Sequence, residues 1–238
     1  MNDSRILVII PCFNEQESIG SVLNSLKKID VNVSPLVIND GSTDNTEQRA
    51  REAGADVVSH VLNLGIGGAV QTGIKWAQKH GYQRCVQIDG DGQHPPEQLV
   101  RLLQVMDEEK CDMVIGSRYL TKAGFQSSSI RRAGIGWLGF VLAVFFGKKI
   151  SDPTSGFRLL GPRIIDLFSR KYPHDFPEPI SIAQALTSDM SIVETQVEMQ
   201  ARLFGVSSIG WIKSLSYMIR VTSYILLTKI AQLLKVSA

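Results

Sequence analysis

The chain has 238 residues, of which 44% are hydrophobic and 20% charged, and its formal net charge is +2. This composition excludes a disordered chain, and the weak net charge does not favour nucleic acid as a partner. The length suits one large α/β domain, or one domain followed by a tail. Three widely spaced cysteines, Cys12, Cys85 and Cys111, match no metal-ligand pattern, and we interpret them as buried, reduced thiols. Together with an N-terminus that lacks the order of a signal peptide, they predict a cytoplasmic setting.

Short apolar runs alternate with helical patterns from the N-terminus to residue 118. The apolar runs predict strands over Arg5–Ile10, Pro35–Ile38, Ala55–His60, Arg84–Ile88 and Asp112–Ile115. The segments between them predict helices over Gln16–Lys28, Asp44–Ala53, Gly68–His80 and Pro95–Met106. Alternation of strands and helices at this spacing is typical of an α/β fold with a mostly parallel sheet and helices on both faces.

The second half of the chain has a less regular pattern. Ile135–Phe146 is an uninterrupted apolar run of 12 residues, which is too short to span a bilayer as a helix. Phe140 within it fits a helix face, and we expect its ring in the core. The sequence predicts a loop over Arg170–Pro179, a strand over Ser191–Met199 and a helix from Trp211 to the end.

Polar side chains follow each of the five predicted strands. Ligands of open α/β folds bind beyond the carboxyl ends of the strands, so this edge is the expected site. The residues concerned are Asn14, Glu15, Asp40, Asn63, Asp89, Asp91 and Arg118.

Asp89 and Asp91 stand two residues apart directly after a predicted buried strand. Two such carboxylates can share a hard divalent cation, which would neutralise a diphosphate leaving group. Gly90 between them lets a phosphate approach the backbone. The alternative is a solvated turn, because Asp-Gly pairs are common in turns.

A third carboxylate, Asp40, ends the second predicted strand. It can accept hydrogen bonds from a nucleobase or a ribose. Asp44 is expected to cap the following helix, which leaves Asp40 without that explanation. The glycine-rich segment Asn63–Ala69 permits a close backbone approach to a ligand, but it lacks the lysine of a P-loop.

Five motifs occur in order along the chain: Pro11–Glu15 (PCFNE), Asn39–Ser42 (NDGS), Asp89–His94 (DGDGQH), Gly116–Arg118 (GSR) and Asp152–Arg158 (DPTSGFR). Together they resemble the family 2 glycosyltransferases, specifically the polyprenyl-phosphate (dolichol-phosphate mannosyltransferase-like) branch. The resemblance runs from about residue 5 to residue 210. It implies a GT-A fold, a UDP- or GDP-linked sugar donor, Mg²⁺ or Mn²⁺, and inversion at the anomeric carbon.

The resemblance also implies roles for individual residues. Those that match nucleotide and diphosphate contacts are Pro11, Phe13, Glu15, Ile38, Asp40, Asp89, Gly90, Arg202 and Ser208. Those that match metal ligands are Asp89 and Asp91, with Gln93 as a further ligand. Arg118 matches a phosphate-binding arginine, and either Arg131 or Arg132 matches a second one for the acceptor phosphate.

Two acceptors remain open for the sugar, and they require different chemistry. A phosphate monoester has a second pKa of about 6, so it is already an anion at neutral pH and needs guanidinium groups for positioning more than a base. A sugar hydroxyl needs a carboxylate base, for which Glu178 is the best candidate. A third alternative is a non-catalytic subunit that binds nucleotide sugar within a membrane complex, although the intact acid pair argues against it.

A polyprenyl acceptor lies in a membrane, so a contact with the membrane surface is expected. The apolar run Ile135–Phe146, between two basic pairs, is either an interfacial helix or a buried one. We predict a GT-A domain over residues 1–210 and a helical tail over residues 211–238. The tail is expected to bind the membrane surface, an integral membrane partner or a sister subunit rather than to span the bilayer, which places the protein at the inner face of the membrane.

Overall fold

A computed structural model describes residues 5–121, 129–200 and 211–234 of the chain. The strands are β1 Ile6–Cys12, β2 Val33–Asn39, β3 Asp56–Ser59, β4 Cys85–Gln87, β5 Met113–Ser117, β6 Arg158–Leu160 and β7 Ile192–Gln196. The helices are α1 Ile19–Leu26, α2 Thr46–Glu52, α3 Gly65–Lys79, α4 Leu99–Glu109, α5 Ser129–Phe146, α6 Pro162–Arg170, α7 Pro177–Thr187 and α8 Trp211–Leu233. A short 3-10 turn, Pro96–Gln98, leads into α4.

The described strands form one sheet in the order β3-β2-β1-β4-β6-β5-β7. All neighbouring pairs are parallel except those of β6, which runs antiparallel to both β4 and β5. The prediction of a mostly parallel sheet is therefore confirmed. Because β6 is antiparallel, its first residue lies at the same edge of the sheet as the last residues of β4 and β5.

Two hydrophobic cores lie on the two faces of the sheet. Alternate residues of β1 supply them: Leu7 and Ile9 belong to one, and Val8 and Ile10 to the other. The first core also contains apolar residues of α3, α5, α6, α7 and α8, whereas the second contains those of α1 and α4. The sheet is thus covered on both faces, as the apolar runs predicted.

Strand β1 runs two residues further than its predicted end at Ile10, with Pro11 inside it. Pro11 has no N–H to donate, which normally restricts proline to positions where no partner is needed. β4 stops at Gln87, opposite Ile9, so Pro11 lies beyond the last paired residue of that neighbour. The strand continues past the proline because it still pairs with β2 as far as Cys12.

The second half of the chain contains three elements that the sequence did not predict: β6, α6 and α7. α7 begins at Pro177, within the predicted loop Arg170–Pro179. A proline suits the first helical position, because its missing N–H has no partner there in any case. β7 occupies a shorter range than the predicted strand Ser191–Met199.

Helices α5 and α8 lie side by side and share apolar contacts with α7. The Trp137 indole on α5 donates a hydrogen bond to Thr222 Oγ1 on α8 at 3.1 Å. Val221 and Ile225 of α8 are fully buried in the first core. The expectation that Phe140 is a core residue is wrong, since its side chain is 59% exposed on the outer face of α5. None of the helices in the described ranges has the length and apolar character needed to cross a bilayer.

Candidate active site

The ends of β1 and β4 bring together the first and third of the five motifs, Pro11–Glu15 and Asp89–His94. A Cβ atom at Gly90 would lie 2.6 Å from Cys12 Sγ and 3.3 Å from the Pro11 carbonyl oxygen. These separations are shorter than ordinary van der Waals contact, so only glycine allows the Asp89–Asp91 loop to rest on the end of β1. The acid pair therefore lies against the segment predicted to hold a nucleotide.

The acid pair has a fixed backbone. The Asp89 N–H donates to His94 Nδ1 at 3.0 Å, and Asp91 Oδ1 accepts from the Gln93 N–H at 3.0 Å. His94 is buried and stacks on Phe157, with 5.2 Å between ring centroids. Asp91 is buried and Asp89 is half-buried, so the turn that carries the two carboxylates is only partly open to solvent.

Asp89 and Asp91 are the carboxylates at this edge that suit a divalent ion. Within the described ranges, no three histidine, cysteine, aspartate or glutamate side chains converge as a metal cage. Mg²⁺ in nucleotide sites usually takes one or two carboxylates and completes its coordination with phosphate oxygens and water. The pair Asp89 and Asp91 fits that kind of site, in which the diphosphate supplies further oxygens.

The turn after β1 is tied to the entry of α2. Asn14 adopts a left-handed backbone with φ 56°, and its side-chain oxygen accepts from the Thr43 N–H at 2.9 Å. The Glu15 N–H donates to Thr46 Oγ1 at 2.8 Å. Phe13 is 48% exposed at the tip of this turn, so an apolar ring faces solvent beside the strand ends.

Asp40 is buried and fully engaged with the loop that enters α3. Its carboxylate accepts from the N–H groups of Leu64 and Gly65, both at 2.9 Å, and contacts His60 Nδ1 at 2.7 Å. These bonds fix the entry of α3 beside β2. Ile38 requires a correction, because its side chain is fully buried in the first core and only its main chain could face a ligand.

Arg118 follows β5 and forms an ion pair with Asp152. Nε lies 2.6 Å and Nη2 2.7 Å from the two carboxylate oxygens, and Nη2 also donates to Thr154 Oγ1 at 3.0 Å. Burial acts to lower the pKa of Arg118, but the hydrogen bonds and charge of Asp152 outweigh it and raise that pKa. The guanidinium is thus a permanent cation held in one orientation.

Glu178 lies in the first turn of α7 and is partly buried. Burial raises the pKa of its carboxyl group, Arg158 opposes that rise, and Asp89 adds to it while Arg118 opposes it. Arg158, Asp89 and Arg118 are therefore close enough to Glu178 to act on its charge. The structure brings Glu178 to the same edge as the acid pair and Arg118.

All three cysteines are free and buried, as predicted. Cys12 is the one at the site, where burial, followed by the charges of Glu15, Asp89 and Asp91, raises its thiol pKa well above the usual value. A thiolate is therefore disfavoured at this position.

Sequence comparison places the chain among known proteins. The family model for glycosyl transferase family 2 matches residues 7–166. The chain belongs to this family.

The resemblance inferred from the five motifs is also confirmed for its branch. The undecaprenyl-phosphate mannosyltransferase of Micrococcus luteus is 36% identical over 160 residues, which cover 65% of each protein. The polyprenol monophosphomannose synthase of Mycolicibacterium smegmatis is 31% identical over 216 residues, covering 87% of this chain and 81% of that one. The first of these matches therefore spans just under two thirds of the relative's length.

Solved structures confirm the GT-A fold. The glucosyl-3-phosphoglycerate synthase of Mycobacterium tuberculosis, in complex with Mn²⁺, UDP-glucose and phosphoglyceric acid, superposes with a TM-score of 0.70. The match covers 95% of this chain and 80% of that one at 20% identity, so it establishes the fold alone. The same synthase has also been crystallised with Mg²⁺ and UDP.

Some predicted contacts of this family 2 chain cannot be placed. Arg202 and Ser208 lie outside the described residues, and so does the side chain of Arg131. Arg132 is exposed on the first turns of α5. Gln93 is partly buried next to Asp91, with its N–H bound to that carboxylate.

Three residues at the carboxyl edge of the sheet, Asp152, Arg158 and His60, were not predicted from the sequence. Asp152 and Arg158 lie within the motif Asp152–Arg158, which was noted without roles for its charged members. Opposite charges inside one motif were the available signal. His60 gave no such signal, because a histidine at a strand end is usually solvated.

Proposed function

We propose that this family 2 enzyme transfers a sugar from a nucleotide diphosphate donor to a polyprenyl phosphate, with inversion at the anomeric carbon. The observation that carries the proposal is the position of the Arg118–Asp152 pair at the same edge of the sheet as Asp89 and Asp91. The Arg118 guanidinium suits an anionic acceptor. The Asp89 and Asp91 carboxylates suit a diphosphate with its metal ion. The names of the relatives, which act on undecaprenyl phosphate and polyprenol, support the same substrate class.

Donor binding is assigned to the ends of β1, β2 and β4. Asp89 and Asp91 would hold Mg²⁺ or Mn²⁺, which when bound neutralises the charge that develops on the departing diphosphate. The exposed Phe13 ring and the Glu15 and Asp40 carboxylates are the proposed nucleotide contacts. Glycine at position 90 lets the acid-pair loop lie against the end of β1, which brings Asp89 and Asp91 beside these proposed nucleotide contacts.

The acceptor phosphate is assigned to the Arg118 side of the site. An acceptor that is already an anion needs no proton removed, so positioning by a guanidinium is the main requirement. Arg118 supplies a cation whose orientation is fixed by Asp152. A sugar hydroxyl is the second candidate acceptor, favoured by the presence of Glu178 with a raised pKa at the same edge.

We propose further that the outer faces of α5 and α8, the apolar platform, rest on the membrane surface. The exposed large apolar side chains of the platform are Trp137, Phe140, Val144 and Phe145 on α5, and Ile219, Tyr224, Leu227, Ile230 and Leu233 on α8. Exposed basic residues flank it, namely Arg132, Lys148, Lys149 and Arg220. Apolar side chains beside cations suit an interface with anionic lipid headgroups.

The test is transfer by the purified chain with Mn²⁺, offered UDP- and GDP-linked sugars and either a polyprenyl phosphate or a glycan hydroxyl. Mass spectrometry of the lipid fraction identifies the product. A sugar-phosphate-polyprenol product supports the proposal, and a glycan product replaces it by the second candidate. Nucleotide-sugar binding without turnover on either acceptor would instead favour a non-catalytic subunit.

A further inference from the structure

Arg158 is a buried arginine that none of the proposed roles uses. It is the first residue of β6 and is 2% exposed. In the sheet it pairs with Gln87 of β4 and with Ile115 of β5. It therefore lies between the strand that leads to the acid pair and the strand that leads to Arg118.

The Arg158 guanidinium joins two separate segments of chain. Nε donates to the Ser155 carbonyl at 2.7 Å and Nη2 to the Pro153 carbonyl at 3.1 Å. Nη1 donates to the Glu178 carbonyl at 2.9 Å and to Ser181 Oγ at 2.8 Å. The planar fork of the guanidinium allows donors to point in both directions at once.

These four acceptors are all neutral. In the part of the chain that the structure describes, no carboxylate lies within ion-pair distance of Arg158. A buried cation without a directly paired anion is costly: burial lowers the pKa of Arg158, and the charges of Glu178 and Asp152 oppose that shift only in part. A neutral polar residue would fill the same space without the free-energy cost of burying a charge. What arginine adds at this position is its planar fork of donors.

Each joined segment carries a group of the proposed acceptor subsite. The turn Pro153–Ser155 includes Thr154 and directly follows Asp152, and both of these residues hold the Arg118 guanidinium. The other segment is the first turn of α7, which begins at Pro177 and carries Glu178. Movement of either segment would change the separation between Arg118 and Glu178.

We propose that Arg158 is a positioning residue that sets the spacing between Arg118 and the first turn of α7, and so the width of the acceptor subsite. The inference deepens the proposed function and rests on it only for its kinetic test. Lysine cannot replace arginine here, because one ammonium group has no planar fork with which to reach carbonyls of both segments.

The experiment compares Arg158→Lys with Arg163→Lys, a matched control at an exposed arginine of α6 that pairs with Asp112. Hydrogen exchange followed by mass spectrometry reports on residues 153–157 and 177–182 separately. Arg158→Lys is expected to speed exchange in both segments, whereas Arg163→Lys leaves both unchanged. Unchanged exchange in either segment of a folded Arg158→Lys protein overturns the inference, whether or not the chain proves to be a transferase.

The kinetic arm separates positioning from simple stability. At saturating donor, Arg158→Lys is expected to lower single-turnover transfer by about 10- to 100-fold, the range that misplacement of reacting groups produces. Donor affinity should stay at the wild-type value, since β1, β2 and the acid-pair loop do not contact Arg158 through its guanidinium. An equal loss of donor affinity and transfer would mean that Arg158 only maintains the fold, and would overturn the proposal.

A milder variant covers the case in which Arg158→Lys does not fold. Ser181→Ala removes one of the four acceptors, on the α7 side alone. It is expected to speed exchange in residues 177–182 and to leave residues 153–157 as in the wild type, with a smaller loss of transfer. Faster exchange spread evenly over the whole protein would contradict a local positioning role.

Discussion

The Arg118 guanidinium and the Asp152 carboxylate meet through two parallel hydrogen bonds, while the Asp152 side chain is fully buried. The carboxylate also accepts the Arg118 N–H at 3.2 Å. Glu194 in turn accepts the N–H groups of Ser151 and Asp152, at 2.7 and 2.8 Å. Arg118, the arginine proposed to bind the acceptor, is therefore connected through Asp152 to Glu194 of β7. Substituting Arg118 is expected to affect stability as well as activity.

Asp152→Asn should destabilise the protein by about 3 kcal/mol, because it leaves the Arg118 cation without its buried partner. Chemical denaturation measures the change in the free energy of unfolding. The control is Asp107→Asn, which breaks an exposed pair with Arg84 and should cost less than about 1 kcal/mol. Equal effects of the two substitutions would contradict a buried, stabilising pair at Arg118.

Asp91→Asn should abolish transfer and Mn²⁺-dependent UDP or GDP binding while leaving the fold intact. The substitution keeps the shape of the side chain and removes the charge that a hard cation requires. Calorimetric titration with and without Mn²⁺, together with the melting temperature, provides the measurement. Asp166→Asn, at an exposed carboxylate of α6, is the control. Full turnover of wild type in excess chelator would show that the site uses no metal ion.

Asp40→Asn should weaken nucleotide binding, through a lost direct contact or through the loop before α3. The amide keeps one oxygen acceptor, but it cannot accept all the hydrogen bonds that Leu64, Gly65 and His60 now make with the carboxylate. Calorimetry with UDP and GDP gives the affinity, and hydrogen exchange over residues 60–66 gives the state of the loop. Wild-type affinity in the variant would remove Asp40 from the site.

Glu178→Gln distinguishes the two acceptors. With a phosphate acceptor it should cost little, whereas a lost general base costs about 10²- to 10⁴-fold in rate. The pH profile gives a second reading, because a base must be deprotonated and the pKa of Glu178 is raised. If Glu178 were the base, transfer would fall as the pH drops through that raised pKa, starting at a higher pH than for an ordinary glutamate. The Gln variant would then lose this limb of the profile.

Arg118→Lys is the complementary variant for the same question. It keeps the positive charge but loses the bidentate geometry, so transfer to polyprenyl phosphate should drop more than transfer to a hydroxyl. Single-turnover rates at saturating donor are compared after confirming that both variants are folded. If Glu178→Gln loses a hundredfold or more and Arg118→Lys stays near wild type, the lipid-phosphate mechanism is wrong.

The double substitution Leu227→Glu and Ile230→Glu should reduce binding to anionic vesicles. Both side chains are exposed on the apolar platform, at 60% and 50%, so the fold should tolerate the change. Deleting α8 would be a poorer test, because Val221 and Ile225 belong to the core. Val100→Glu, on α4 at the other face of the sheet, is the control. Unchanged co-sedimentation of the double variant would mean that another surface binds the membrane.

The first four strands, β1 to β4, could be predicted from the sequence because they are continuous apolar runs followed by polar residues. Ile9 and Ile10 point to opposite cores, and nothing local competes with that pattern. The acid pair was recognisable for a similar reason, since Asp89 and Asp91 are only two residues apart in the sequence. Both carboxylates come from one short loop, so a local motif is enough to reveal them.

The surroundings of Arg118 and Arg158 could not be predicted in the same way, because their contacts are distant along the chain. Asp152 is separated from its partner Arg118 by α5, and the acceptors of Arg158 come from two segments. β6 is only three residues long and begins with a buried arginine, which no apolar pattern would place in a sheet. Phe140 was misplaced because periodicity gives a helix face but not which neighbour, if any, covers it.

The antiparallel direction of β6 has a consequence for how the two halves of the enzyme can change. β5 ends at the carboxyl edge of the sheet and β6 begins at that same edge. The connection between them, which contains α5, is therefore a detour that leaves the sheet and returns to it at one edge. Such a detour can lengthen, shorten or exchange its outer face without shifting any strand register. The outer face of α5 can therefore differ between proteins of this architecture while Arg118 and Asp152, which flank residues 119–151, keep their pairing.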